Sequence, residues 1–173
     1  RKGYTVVGVD PSDVADMASV GQWDHVKRYM NIETARMIKQ AFGEMDIVTA
    51  CNVLAHTDNI HEMVAGIKHV LSSNGVFIVE VQYQGALLDK TQFDTVYHEH
   101  CSYFSSKNLI RLFWEHGLTA WNIRRIDTHS GSIRLIGSHS DKIIGRPTDH
   151  VTSHEMDIPA RQISQDFSIS AQR

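Results

Sequence analysis

Short β-branched runs alternating with stretches of helical periodicity restrict this chain to few architectures. Tyr4-Thr5-Val6-Val7-Gly8-Val9 reads as a buried strand. It ends at Asp10-Pro11-Ser12, where proline suits a first helical turn, and a short helix should follow to about Ser19. His25 to Tyr29 is a weaker strand candidate. Asn31 is placed to cap a helix that reaches Phe42 and stops at Gly43, with Ile32, Ala35, Met37, Ile38 and Phe42 as its apolar stripe. Asp46 to Asn52 reads as a second buried strand, and Ala55 to Asn59 as polar loop. Ile60, Met63, Val64, Ile67, Val70 and Leu71 then recur at helical spacing until Ser72-Ser73-Asn74-Gly75 closes the helix, and Val76 to Val81 is the next strand. Strands joined by helices in this way form a parallel sheet with right-handed crossovers.

The rhythm then changes. From Gln82 to Phe104 no periodicity holds, and such a long irregular insert in a compact fold is usually functional. Ser105 can cap a helix from Lys107 to His116. Thr119 to Ile126 and Ser132 to Ser138 follow as strands, and the link Thr128-His129-Ser130-Gly131 between them suits a hairpin and is too short for a parallel crossover. The expected class is therefore α/β, doubly wound, with a mostly parallel sheet that ends in an antiparallel hairpin. Because Arg1-Lys2-Gly3 runs directly into a strand, the chain reads as opening after an upstream helix, and its sheet as lacking a first strand.

Composition excludes several functions. The chain has 173 residues and a net charge of −3, which offers nucleic acid no basic footprint. No run approaches the roughly 18 apolar residues of a membrane span and no cleavable leader opens the chain, so the expected location is cytoplasmic, with no membrane partner. Cys51 and Cys101 are the only cysteines, too few for a disulfide framework or a four-cysteine zinc site. Histidine is abundant, with 11 residues, and its placement matters more than its number.

In an open α/β sheet, ligands bind beyond the carboxyl ends of the strands. Asp10, Tyr29, Asn52 to His56, and Gln82 onward hold those places. Asp10 can accept from a ribose diol, or it can simply cap the Pro11-Ser12 turn. The densest polar cluster is Tyr97-His98-Glu99-His100, which supplies a phenol, a carboxylate and imidazoles together. Extended, it would put His98 and His100 on one side; turned, it would make neighbours of Tyr97 and His100. A metal set of His98, Glu99 and His100 lacks the helical two-histidine spacing, so no metal ligand is assigned. A solvated loop with chance histidines is the plainer alternative.

Three segments in order carry a resemblance: GVDPSDVAD from Gly8 to Asp16, DIVTACNVLAHTDN from Asp46 to Asn59, and FDTVYHEHCSYFS from Phe93 to Ser105. Together they resemble the S-adenosylmethionine-dependent C-methyltransferases that act on nucleotide-linked keto-deoxysugars. The likeness covers about residues 1–140, and the closing hairpin argues against a nicotinamide-binding sheet, which normally stays parallel. It implies a partial methyltransferase domain over 1–140, with 141–173 as a linker and the start of a truncated C-terminal domain. Family members usually carry an upstream cysteine-rich zinc segment, a glycine-rich cofactor loop and a further α/β domain, and this chain shows none of the three. Cys101 stands where an apolar residue is expected.

The resemblance implies roles. His100 matches the general base, Tyr97 and Glu99 its substrate-positioning or enolate-supporting partners, and His56 a further active-site histidine. Asp10, Pro11 and Ser12, the Tyr29-Met30 pair and Asn52 would meet the cofactor, S-adenosylmethionine; Met30 serves equally as ordinary core. The implied partner is a small nucleotide-sugar, and the oligomeric state is left open. A non-catalytic binding module of the same fold and a methyltransferase of another substrate class are the alternatives. A binding scaffold has no reason to keep a base.

Overall fold

The structure, a computed structural model, describes residues 3–13 and 23–142. Its strands are β1 (Val7–Val9), β2 (Asp24–Val26), β3 (Met45–Cys51), β4 (Leu71–Gln82), β5 (Leu118–Ile126) and β6 (Ser132–His139). Its helices are α1 (Ile32–Phe42), α2 (Ile60–Val70), α3 (Gln84–Asp89) and α4 (Ser106–Glu115). The helix anticipated up to Ser19 and nearly all of 141–173 lie outside the described residues.

β1 and β2 pair in parallel as a small sheet, while the other four strands lie in the order β3-β4-β6-β5. β3 is parallel to β4, and β6 is antiparallel to both β4 and β5, so β6 alone runs against its sheet. This is the α/β, mostly parallel arrangement with a closing hairpin that the sequence pattern implies. One consequence fixes the site: β5 runs with β3 and β4, so the turn after β5 lies at the same pole as the loops after those strands.

The helix signals act as read. The Asn31 side chain accepts from Thr34 N–H at the start of α1, and Gly43 ends that helix with φ 84°, a backbone region that favours glycine. Asn59 caps α2 through Glu62 N–H and Ser105 caps α4 through Asn108 N–H.

Three expectations need correction. Ser72 to Gly75 do not close α2 as a turn; β4 begins at Leu71 and carries these residues as an irregularity, Met45 facing Leu71 while Ile47 faces Val76. The strands ending at Val9 and Asn52 are not buried throughout. β3 pairs on one side only among the described residues, leaving Ile47 65% exposed, and Val6 is half exposed. The third is the ordinary expectation that a large aromatic packs: Trp114 and Trp121 are both exposed.

The core is built on β4. Phe77, Val79 and Val81 alternate onto one buried face, which packs with Val64 and Ile67 of α2, Leu109 and Phe113 of α4, and Ile133 and Leu135 of β6. The Phe77 and Phe113 rings stack with centroids 4.7 Å apart. Gly137 of β6 lies beside that ring: a Cβ there would meet Phe77 at 2.4 Å and the Thr119 carbonyl at 2.3 Å. A smaller cluster, Ala35, Ile38 and Val70, is covered by Val7, Val9 and Val26 from the small sheet and by Val48 from β3, so α1 packs against both sheets.

Burial therefore separates neighbouring aromatics. Phe113→Ala should cost about 3–5 kcal/mol in urea unfolding, whereas exposed Trp114→Ala should stay within about 0.5 kcal/mol. Equal losses would show that α4 does not bury the face described.

Candidate active site

The carboxyl pole is assembled by backbone hydrogen bonds between distant loops. Cys101 N–H donates to the Ala55 carbonyl at 2.7 Å, and Gln84 N–H to the Phe104 carbonyl at 2.9 Å; Phe104 also bridges Tyr83. The irregular insert is thereby held against the short 3-10 turn Leu54–His56 that follows β3. Phe104 is buried and Tyr103 half-buried, whereas Phe93 and Val96 are exposed.

Residues 97 to 100 form a turn, with His100 N–H donating to the Tyr97 carbonyl at 3.0 Å. Of the two geometries open to the sequence, this one makes Tyr97 and His100 neighbours: the Tyr97 hydroxyl lies 3.0 Å from His100 Nε2. The His56 and His100 ring centroids are 4.8 Å apart, so the structure brings these two imidazoles and the phenol into one cluster.

The tautomers follow from the partners. His100 Nδ1 is 2.8 Å from the Thr95 carbonyl, which can only accept, so Nδ1 carries the hydrogen. In the neutral ring His100 Nε2 then holds the lone pair and accepts from the Tyr97 hydroxyl. The Tyr103 hydroxyl donates to the same Thr95 carbonyl at 3.3 Å. His56 repeats the pattern, its Nδ1 lying 3.0 Å from the Glu99 carbonyl, so in the neutral ring the lone pair falls on Nε2. Two imidazoles, each oriented by a backbone carbonyl on Nδ1 so that the neutral ring places its lone pair on Nε2, suit proton removal from a weak acid.

Glu99 enters the cluster through its backbone. Its side chain is 64% exposed and lies 3.9 Å from His98, and its contribution to the cluster is the main-chain carbonyl that orients His56. Neither cysteine offers a thiolate. Burial, then the Glu80 carboxylate, pushes the Cys51 thiol up, and the hydrogen bond to Asp58 raises Cys101. Among the described residues no group of three or more His, Cys, Asp or Glu converges to hold a metal ion.

The residues expected at the cofactor end the successive strands. Asp10 follows β1, accepting from the Ser12 amide at 2.8 Å and from the Ser12 hydroxyl, which together lower its pKa. That is the capping-type turn offered by Asp10-Pro11-Ser12, and both bonds fall on Oδ1. After β2, Tyr29 is 68% exposed, while Met30 packs against both core clusters, in line with its core reading. Asn52 follows β3 with φ 55°, its amide nitrogen 3.5 Å from His129 Nδ1.

His129 went unselected in the sequence. Its signal was available: the Thr128–Gly131 link follows a strand that runs with β3 and β4. The carbonyls of Thr95 and Glu99 carry no sequence signal at all. A recess of about 860 Å³ lies elsewhere, lined by Lys68, His69, Trp114, His116, His139 and Ser140 among others and by none of the residues above. There burial, then His61 and Lys68, hold His116 below the ordinary imidazole range.

A family model described as a methyltransferase domain matches residues 1–123. The chain belongs to the methyltransferase domain family. Among curated relatives it is 38% identical over 134 residues to the C-methyltransferase NovU of Streptomyces niveus, covering 77% of this chain and 32% of that protein. The chain thus spans about a third of the length of that relative. Among solved structures, the magnesium protoporphyrin IX methyltransferase of Synechocystis with bound S-adenosylhomocysteine superposes with a TM-score of 0.55 at 16% identity, over 80% of this chain and 66% of that one. A SAM-dependent methyltransferase from Anabaena variabilis gives 0.59 at 11% identity, over 78% and 68%. At such identities these structures speak for the shared methyltransferase fold.

The tautomer assignment is directly observable. Long-range ¹H–¹⁵N spectra of the methyltransferase domain should show the neutral His100 ring as the Nδ1–H tautomer, and Tyr97→Phe should leave it so. An Nε2–H form would mean that Thr95 does not orient the ring.

Proposed function

We propose that this chain carries the catalytic core of an S-adenosylmethionine-dependent C-methyltransferase that methylates a carbon next to the ketone of a nucleotide-linked deoxysugar, working in the cytoplasm. The observation that carries the reading is the pair of imidazoles, His56 and His100, each held through Nδ1 by a backbone carbonyl, with the Tyr97 phenol on His100 Nε2. Similarity to a C-methyltransferase supports carbon as the acceptor, and the three segments quoted above support the sugar.

The donor set at the strand ends fits the cofactor. Asp10, whose described hydrogen bonds use one carboxylate oxygen, has the other to accept from a ribose diol. Pro11 and Ser12 hold Asp10 in its turn, Tyr29 and Met30 offer an apolar wall to adenine, and Asn52 contributes an amide. When bound, S-adenosylmethionine supplies an electrophilic methyl group. The chain's own task is to make the carbon a nucleophile.

His100 Nε2 receives the α-proton as the C–H electron pair moves into the enolate. The imidazolium so formed keeps its Nδ1–H bond to the Thr95 carbonyl, which favours the charged ring. The Tyr97 hydroxyl, released from Nε2 once that atom is protonated, donates to the enolate oxygen. His56, held by the Glu99 carbonyl, closes the other side of the cluster and presents a second Nε2 to the substrate. The exposed Glu99 carboxylate is free to meet a sugar hydroxyl. A binding-only module has no use for two imidazoles oriented side by side in this way.

The test is to feed the complete protein a methyl-labelled donor and a nucleotide-linked keto-deoxysugar. Label should appear on the carbon beside the ketone, and His100→Ala should lower turnover about 10²–10⁴-fold. Asp10→Ala should weaken cofactor binding by about 1–3 kcal/mol in calorimetry. Label on oxygen, or no transfer to any keto-sugar, would overturn the substrate reading; unchanged affinity would remove Asp10 from the site.

A further inference from the structure

Four described non-glycine residues have left-handed backbone: Asn52, Thr91, His129 and Ser130. All four lie in loops at the carboxyl pole, and two of them, Asn52 after β3 and His129 between β5 and β6, touch across the crevice. Such a conformation costs a residue with a side chain about 1–3 kcal/mol and persists only where its surroundings impose it. Here they do. The Ser130 carbonyl is gripped by Lys90 Nζ at 2.7 Å and Gln92 Nε2 at 3.1 Å, and Gly131 N–H donates to the Thr128 carbonyl at 3.0 Å. Gly131 lies so close to α3 that a Cβ would meet Ala86 Cβ at 2.6 Å. The hairpin tip is therefore pinned from beneath, with the exposed His129 ring aimed at Asn52.

We infer that His129 is a positioning residue for the cofactor, acting through Asn52. The amide nitrogen of Asn52 can only donate, so His129 Nδ1 accepts and the His129 hydrogen sits on Nε2. With its NH₂ group engaged by His129, the Asn52 amide is fixed with its carbonyl Oδ1 as the end left for a ligand. Asn52 N–H is itself tied to the Glu80 carbonyl at 2.9 Å, so only the side-chain rotation needs such a restraint. The acceptor held in this way suits a cationic N–H donor, which among the parts of S-adenosylmethionine is the ammonium of its amino-acid end. At 3.5 Å the bond is long, as hydrogen bonds in a site commonly are before a ligand draws the groups together. The inference rests on the proposed cofactor.

The experiment uses calorimetric binding of S-adenosylhomocysteine, which keeps the ammonium and cannot react, with thermal midpoints measured alongside. The complete protein is compared as wild type, His129→Gly, Asn52→Ala, the double variant and His129→Gln. Glycine relieves the left-handed backbone, so His129→Gly should melt at or above the wild-type temperature. It should nevertheless bind about 5–20-fold more weakly, the worth of one polar contact. In the Asn52→Ala background the same change should alter affinity less than about 2-fold, because the partner is gone. His129→Gln, which keeps a side-chain acceptor, should recover most of the binding. Wild-type affinity in His129→Gly, or an equal loss in both backgrounds, overturns the inference while leaving the methyltransferase reading standing. A wild-type protein that binds no S-adenosylhomocysteine overturns both.

Discussion

The hydrogen bond from Cys101 N–H to the Ala55 carbonyl is the contact on which the site depends. It joins the insert to the turn after β3, two segments far apart in the chain, and sets His100 against His56. His56 takes its orientation across that junction, from the Glu99 carbonyl of the insert, whereas His100 is oriented within the insert by Thr95. The bond is made by main chain alone, so it tolerates Cys101 in a place where an apolar side chain was expected. The Cys101 thiol instead reaches Asp58, in the same loop region as His56.

What the scaffold contributes is rigidity at one pole. β4 is buried along a whole face and paired on both edges, so the ends of β3, β4 and β5 are fixed relative to one another. Loops carried on such a frame can hold unfavourable backbone conformations, and the left-handed residues of the described chain gather there. Main-chain carbonyls then do the orienting. Thr95 and Glu99 accept from the Nδ1 atoms of two histidines, so both rings are oriented through Nδ1, with the Tyr97 hydroxyl on Nε2 of His100, an arrangement that needs no buried carboxylate behind the imidazoles.

Local chemistry was legible where it was local. Asn31, Ser105 and Gly43 announced their helix ends because a cap is a short-range hydrogen bond, and the five-residue link between Ile126 and Ser132 was too short for anything but a hairpin. Ser72 to Gly75 misled for the opposite reason: turn-forming residues sit within β4 because the pairing with β3 absorbs them as an irregularity. The insert had no periodicity to read, and its shape is set by contacts with residues such as Ala55 and Tyr83 that no local pattern reveals. The cluster of Tyr97, Glu99 and His100 was visible as residue types, but the outward path of the Glu99 carboxylate was not. His129 was hidden in a turn whose pole could be inferred only once the strand directions were known.

Removal of the α-proton by His100 is the central claim, and hydrogen exchange isolates it from methyl transfer. The complete protein, saturated with S-adenosylhomocysteine so that no methyl group can move, should exchange the α-hydrogen of the keto-sugar with solvent deuterium, and His100→Ala should abolish that exchange while still binding the cofactor product. Exchange at the wild-type rate in His100→Ala would contradict the account and pass the role of base to His56.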